Sequence, residues 1–243
     1  MPGAFSVTIG VLHPGEMGAA IGSALRSAGH TVLWASTGRS ADTARRAREA
    51  GLEDAGTLAE LSRRCDVLIS VCPPHAAVDV ARDFTAFEGV YVDANAVSPA
   101  TARTIAGIVP RYVDGGIIGT PGALRIYLSG ADASAVAGLF DATVVSNASA
   151  LKMAYAAWTK GTAALILAVR DLAEAEGVGD ALRDEWLLSQ PRLADRLASA
   201  ERSARTKGWR WVGEMEEIAD TFAADGLPDG FHRAAAEMFR RES

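Results

Sequence analysis

The sequence predicts an α/β protein, with a doubly wound, mostly parallel sheet over residues 1–147 and a smaller all-helical domain over residues 148–243. Three observations lead there. Apolar runs of strand length alternate with helical patterns through the first 147 residues, the mark of βαβ units on a parallel sheet. The stretch VTIGVLHPGEMGAAIGSAL, positions 7–25, runs from strand to glycine turn to helix. After Asn147 no strand signal follows, and a long Ala- and Leu-rich helical pattern begins.

The strand-length runs lie at 6–12, 31–36, 66–72, 90–93, 111–118, 125–129 and 143–145. Helical patterns lie between them at about 16–28, 40–50, 57–65, 75–86, 98–108 and 131–140. Right-handed crossovers then place helices on both faces of the sheet. The run DVLISVC at 66–72 has no alternation, as expected of a strand buried on both sides. Ser40, Thr57 and Ser98 stand where N-caps are needed, and Pro99 falls in a first helical turn. From Ala148 to Val178 one long helix is expected. Further helices continue to the end, with breaks at Gly177–Gly179, Gln190–Pro191, Lys207–Gly208 and Gly226–Gly230. No Gly/Ser linker, internal repeat or low-complexity tract separates the parts. A helical domain this small with a long apolar helix is expected to complete its core in a homodimer.

The chain has 243 residues, enough for a sizeable core, and its 49% hydrophobic and 22% charged residues are ordinary for a soluble protein. A net charge of −6 gives no pull toward nucleic acid or an anionic membrane. Cys65, at a helix end, and Cys72, in an apparent strand, read as buried free thiols of a reducing compartment, so the expected location is cytoplasmic. The N-terminus MPGAFSVTIG has neither a basic start nor a long apolar stretch, and no signal peptide is expected. Segment 148–169 carries Lys152 and Lys160, which makes it a poor membrane span and a good buried helix.

The first turn carries the first chemistry. A helix N-terminus at the carboxyl edge of a sheet offers backbone N–H groups and a dipole to a pyrophosphate, which is the Rossmann-type arrangement. The hexapeptide is His13-Pro14-Gly15-Glu16-Met17-Gly18, with His13 in the place of the first glycine. Gly15 is where backbone must approach the phosphates, and Gly18 is where helix must pack closely on strand. Pro14 has a fixed φ that suits a rigid turn. The bare alternative is a tight turn with no ligand. The second strand, HTVLWA, ends at Ser36-Thr37-Gly38-Arg39-Ser40, where an NAD site has Asp or Glu for the ribose hydroxyls. Nothing there repels a 2′-phosphate, and Arg39 and the hydroxyls can bind one, which points to NADP(H). Ser40 also suits a helix cap. Cys72-Pro73-Pro74-His75 follows a strand at the carboxyl edge, and its backbone is expected to line the cofactor path, with His75 opening a helix. Asn95, in DANAVSP, is a candidate partner for the nicotinamide carboxamide or the substrate.

These residues carry a resemblance. In IGVLHPGEMG, SVCPPH, DANAVSP, Asp114-Gly115-Gly116-Ile117-Ile118-Gly119 and Lys152, the chain resembles the β-hydroxyacid dehydrogenase and 6-phosphogluconate dehydrogenase superfamily over residues 5–160. It is most similar to a branch with a short helical C-terminal domain, in which SALKMAYAAWTKG and WRWVGEMEEIA look typical. The resemblance implies a Rossmann domain, an all-helical second domain, and a dimer whose active site lies between domains with help from the partner chain. It implies oxidation or reduction of small hydroxy acids, and a sister group reduces imines. Two departures stand out. The family's Ser-Gly-Gly set is Ile118, Gly119 and Thr120 here, and the two Asn residues after its lysine are Tyr155 and Ala156. A simple 3-hydroxy acid substrate therefore carries over poorly.

Hydride transfer to a carbonyl leaves an alkoxide that needs a proton, and the reverse reaction needs a base. Lys152, one turn into the long helix, is the candidate, with Asn95 and Tyr155 beside it. The residue pattern admits both a proton donor of lowered pKa and a lysine snorkelling from a helix end. The resemblance assigns the catalytic role. Residues 152, 155, 156, 159 and 163 share one helix face by the 3.6-residue period, and Lys160 is the rival base. Trp209 and Trp211 fill a core or a dimer contact. Glu214 and Glu217 are i, i+3 neighbours, either solvated or available to an amine substrate or to Lys152. His232 reads as structural, and no metal-ligand set exists. The expected function is an NADPH-dependent oxidoreductase of a small carbonyl or hydroxy compound with Lys152 as general acid/base. The alternatives are an NADPH-dependent imine reductase and a non-catalytic NADP(H)-binding dimer.

Overall fold

The computed structural model describes residues 7–242. Ser6, which opens the first expected strand, and the first residues of the N-terminus read for a signal peptide lie outside the described residues. Strands β1 (Thr8–Val11), β2 (Thr31–Trp34), β3 (Glu53–Asp54), β4 (Val67–Ser70), β5 (Val90–Asp93), β6 (Tyr112–Thr120), β7 (Ala123–Ser129) and β8 (Thr143–Val144) form one sheet. Their order is β3-β2-β1-β4-β5-β6-β7-β8. Every neighbouring pair is parallel except β6 and β7, which form an antiparallel hairpin. The strand order reverses between β1 and β4, and ligands of open α/β sheets sit outside the carboxyl ends at such a point.

The central strands bury both faces by the two-residue alternation of a strand. Val32, Trp34, Val67, Ile69, Val90 and Val92 face one core, and Leu33, Leu68 and Tyr91 face the other. Helices α1 (Glu16–Ser27), α2 (Ala41–Glu49) and α6 (Ala133–Val136) supply Ile21, Leu25, Ala47 and Val136 to the first core. Helices α3 (Leu58–Arg64), α4 (Ala77–Arg82) and α5 (Pro99–Ala106) supply Leu61, Ala81 and Ile105 to the second. This is the doubly wound arrangement. The three expected caps are in place: Ser40, Thr57 and Ser98 side-chain oxygens accept the N–H of Thr43 (3.2 Å), Glu60 (3.1 Å) and Thr101 (3.2 Å).

Some elements differ from expectation. The polar pair of β3 makes a short edge strand that no apolar run signals. β4 ends at Ser70, so Cys72 lies beyond the strand and not in it. The helix expected from residue 75 opens as a 3-10 turn, Pro74–Ala76, ahead of α4.

The helical part comprises α7 (Ala148–Ala175), α8 (Gly179–Ser189), α9 (Leu193–Ala224) and α10 (Gly230–Glu242). The break expected at Lys207–Gly208 does not occur: α9 runs unbroken through it, with Gly208 buried. One glycine costs a helix interior only about 1 kcal/mol, little against the packing of a helix of 32 residues. Trp211 of α9 packs edge-on against Phe239 of α10, ring centroids 5.0 Å apart. The chain divides into two compact units between Lys152 and Met153, so the first turn of α7 belongs with the sheet.

Candidate active site

Four loops and one helix start gather the expected residues at the carboxyl edge. In the turn after β1, the Gly15 N–H donates to the His13 carbonyl at 2.8 Å. Gly18 is forced by packing. A Cβ there would lie 2.2 Å from the His13 carbonyl oxygen, far inside contact distance. Gly15 is the opposite case. Its φ is −68°, which any residue can adopt, and nothing lies within 4 Å of the place its Cβ would take. The space beyond Gly15 is therefore open. The first-turn N–H groups of Glu16, Met17 and Gly18 have no intrahelical acceptor. Among the described residues the one non-glycine with positive φ is Asp141, so His13 sits where a glycine is usual without backbone strain.

The His13 imidazole is pushed down to about 4, first by burial and then by the neighbouring Arg39 cation. It is neutral at neutral pH, and its buried Nδ1 has no hydrogen-bond partner. Arg39 reaches back across the end of β1. Its Nη2 donates to the Leu12 carbonyl at 3.3 Å, and its buried Nε has no hydrogen-bond partner. Backbone bonds from Thr37 N–H to Gly56 O and from Arg39 N–H to Ser36 O hold the loop. Thr37 and Ser40 are both exposed, and the Ser40 hydroxyl accepts the Thr43 N–H as the cap of α2. Arg46, which the sequence did not single out, donates from Nη2 to Thr43 Oγ1 at 3.4 Å. A guanidinium this deep in a helix carries no local signal.

Asn95 requires a correction. Its carboxamide is buried and bonded inside the protein. Oδ1 accepts the Cys72 N–H (2.5 Å), and Nδ2 donates to Ser70 Oγ (3.1 Å) and Asp93 Oδ1 (2.5 Å). Both amide hydrogens are used, so Asn95 does not donate to a nicotinamide or a substrate. It fixes the backbone entering Pro73 and Pro74. Asp93 beneath it is fully buried and pushed up to about 7, chiefly by desolvation. The Cys72 thiol is pushed up to about 12, chiefly by burial, which keeps it protonated at neutral pH. His75 is exposed in the middle of its 3-10 turn, ahead of α4.

The start of α7 is built on β6 and β7. Ser129 Oγ accepts the Ala148 N–H (2.9 Å), Asp114 Oδ2 accepts the Ser149 N–H (2.8 Å), and Asn147 Oδ1 accepts the Ala150 N–H (2.8 Å). One turn on, the half-buried Lys152 donates from Nζ to the Ile117 carbonyl at 2.7 Å. The parallel register of β5 with β6 ends at Asp93↔Asp114, so Ile117 lies past the carboxyl end of β5. Gly119, with φ +113°, and the exposed Thr120 end the strand at the hairpin tip.

The other candidates are not brought together as one polar stripe. Tyr155 is 41% exposed, and the Thr159 hydroxyl is turned back to the Tyr155 carbonyl at 3.2 Å. Lys160 is no free base, because it forms a largely buried ion pair with Glu214 and lies 5.8 Å from the Trp211 ring centroid. Glu214 is thereby taken, and neither solvated nor open to an amine. Trp209 is 60% exposed and fills no core within the chain. His232 is buried between Phe222 and Phe231, a structural place as expected. Among the described residues there is no cluster able to hold a metal ion and no helix long and apolar enough to cross a membrane.

Residues 8–96 match the family described as NADP oxidoreductase, coenzyme F420-dependent, and residues 173–241 match a domain of unknown function, DUF1932. An uncharacterized 28.5 kDa protein of Methanothermus fervidus is 32% identical over 157 residues, which cover 60% of this chain and 62% of that protein. The chain thus aligns with less than two thirds of that relative's length. One solved structure is a conserved protein of unknown function with structural similarity to 3-hydroxyacid dehydrogenases. It is 28% identical, has a TM-score of 0.71, and the match covers 97% of this chain and 99% of that one. A reductive aminase from Aspergillus terreus, solved with NADPH and ethyl-5-oxohexanoate, shares the fold at 19% identity and a TM-score of 0.60, covering 98% of this chain and 93% of its own.

Proposed function

We propose an NADP(H)-dependent oxidoreductase of a small carbonyl or hydroxy compound, with Lys152 as general acid/base, from a chain whose sheet and helical C-terminal region resemble those of the β-hydroxyacid dehydrogenase and 6-phosphogluconate dehydrogenase superfamily. The observation that carries this reading is topological. The Lys152 ammonium is held past the carboxyl end of β5, on the edge that also carries the open turn at Gly15 and the Arg39 loop.

The residues fit the cofactor. The open space before the α1 amides suits a pyrophosphate, and the unpartnered His13 Nδ1 and Arg39 Nε are buried polar atoms awaiting a ligand. Arg39, with no carboxylate nearby in its loop, favours a 2′-phosphate. When bound, NADPH supplies the hydride. Lys152 gives a proton to the oxygen that has gained negative charge, or takes it in the reverse direction. The Ile117 carbonyl aims the ammonium.

Fluorescence titration with NADPH and NADH tests the cofactor, and NADPH consumption with aldehydes, ketoacids and cyclic imines tests turnover. NADPH is expected to bind more tightly than NADH. Arg39→Ala is expected to weaken NADPH roughly 10- to 100-fold, the range of a charged hydrogen bond, and to leave NADH unchanged. Binding without any consumption sinks the enzyme reading and leaves a cofactor-binding dimer. Ile118 and Tyr155, in place of the hydroxy-acid-binding Ser and Asn, favour an imine as the second reading.

The chain acts as a homodimer in this proposal. Leu151, Tyr155, Trp158, Thr162, Leu165, Val169 and Leu172 recur along α7 at spacings of four and three. Such a heptad seam buries itself against a second helix of the same kind. Trp158, Leu165 and Leu172 are 66%, 48% and 63% exposed within the chain. Leu165→Glu is expected to turn a dimer into a monomer by light scattering. A native chain that is already monomeric at micromolar concentration removes the proposal.

A further inference from the structure

The geometry points to Asp114 as the positioning residue that sets the Lys152 ammonium through the first turn of α7. This rests on the reading of Lys152 as proton donor. A helix start leaves four amides without intrahelical acceptors. Here three of them, the Ala148, Ser149 and Ala150 amides, are received by side chains, and the Leu151 amide then makes the first intrahelical bond, to the Asn147 carbonyl. Two of those side chains, Asp114 and Ser129, come from the sheet. They are joined, since the Ser129 hydroxyl donates to Asp114 Oδ2 at 2.9 Å. One carboxylate oxygen therefore holds the Ser149 amide directly and orients the hydroxyl that holds the Ala148 amide. A carboxylate at a helix N-terminus also meets the positive end of the dipole.

The same strand grips the helix again one turn later. Lys152 donates to Ile117, three residues beyond Asp114 in β6. Between the two grips, Gly116 lets the helix lie on the strand. A Cβ there would come within 2.9 Å of the Ala148 carbonyl oxygen and 3.3 Å of Lys152 Cβ. Asp114 thus fixes where α7 begins, and Ile117 receives the ammonium that this start delivers. The Asp114-Gly115-Gly116-Ile117 stretch is a seat for the lysine helix, a role that its Asp and glycines alone did not reveal. Asp114 touches neither substrate nor cofactor in this account.

The test compares Asp114→Ala, Asp114→Asn, Ser129→Ala and Lys152→Met in the full-length protein. The readouts are NADPH affinity, kcat and KM for a turned-over substrate, and the pH profile of Lys152 acylation by an amine reagent, followed by peptide mass spectrometry. Asparagine keeps an oxygen for both donors, so Asp114→Asn is expected to recover most of what Asp114→Ala loses. Asp114→Ala is expected to lower kcat at least tenfold, to leave KM and NADPH affinity within about twofold, and to shift the midpoint of the Lys152 labelling profile. A folded Asp114→Ala with native kcat and native labelling overturns the proposal. So does loss of NADPH binding in step with kcat in both Asp114 variants, which marks a merely structural role. If Asp114→Ala does not fold, Ser129→Ala takes its place with the same expectations. Lys152→Met at the native rate overturns the reading of Lys152 itself, and the labelling profile then still decides on Asp114.

Discussion

Lys152→Met is expected to bind NADPH as the native chain does and to reduce a carbonyl substrate about 10²- to 10⁴-fold more slowly, the usual contribution of a positioned general acid. Methionine keeps an unbranched stem over Gly116, so the contact of helix with strand survives. What disappears is the ammonium held 2.7 Å from the Ile117 carbonyl. Product release could mask the chemical step, so the decisive measurement is single-turnover NADPH oxidation. The same variant separates the two enzyme readings. An iminium carries its proton before the hydride arrives, so imine reduction is expected to stay near the native rate. A native single-turnover rate on a ketone or aldehyde removes Lys152 from the mechanism.

The second large effect belongs to Gly18. Gly18→Ala places a methyl carbon 2.2 Å from the His13 carbonyl oxygen, a backbone atom that cannot rotate away. Helix α1 must lift from its turn, and overpacking of this kind costs about 1–3 kcal/mol. A lower urea midpoint is expected together with at least a tenfold loss of NADPH affinity. Gly15→Ala is the control for the reason. Its methyl meets nothing within 4 Å, so stability is expected to hold within about 1 kcal/mol. NADPH affinity is expected to fall nonetheless, because the methyl stands where phosphate must approach. Equal losses of stability in both variants would falsify the division of labour between the two glycines.

What could be read in advance was what is local. Ser40, Thr57 and Ser98 announce their caps because a cap is a contact between residues three apart. The continuous apolar run of β4 announces burial on both faces. Where contacts are distant the reading stops. Asn95 reads as a ligand contact, yet Ser70 and Asp93 take both its amide hydrogens and the Cys72 N–H binds its oxygen. Lys160 and Glu214 are 54 residues apart, and no spacing rule pairs them. Glu53 and Asp54 form a strand because β2 lies beside them, not because their side chains prefer one. His13 in place of the glycine was explicable only once the turn proved to need no positive φ there.

The seat of α7 also has a timetable. Two of its receivers, Asp114 and Ser129, lie in the β6–β7 hairpin, and Ser129 precedes the amide that it receives by 19 residues. At about 5–20 residues per second, synthesis makes that receiver about 1–4 s ahead of its helix. A hairpin pairs in roughly 1–10 μs. The growing helix thus meets a finished acceptor surface as it emerges. A circular permutant that begins at Ala148 reverses this order, and its first turn must wait in water for the strands that hold it.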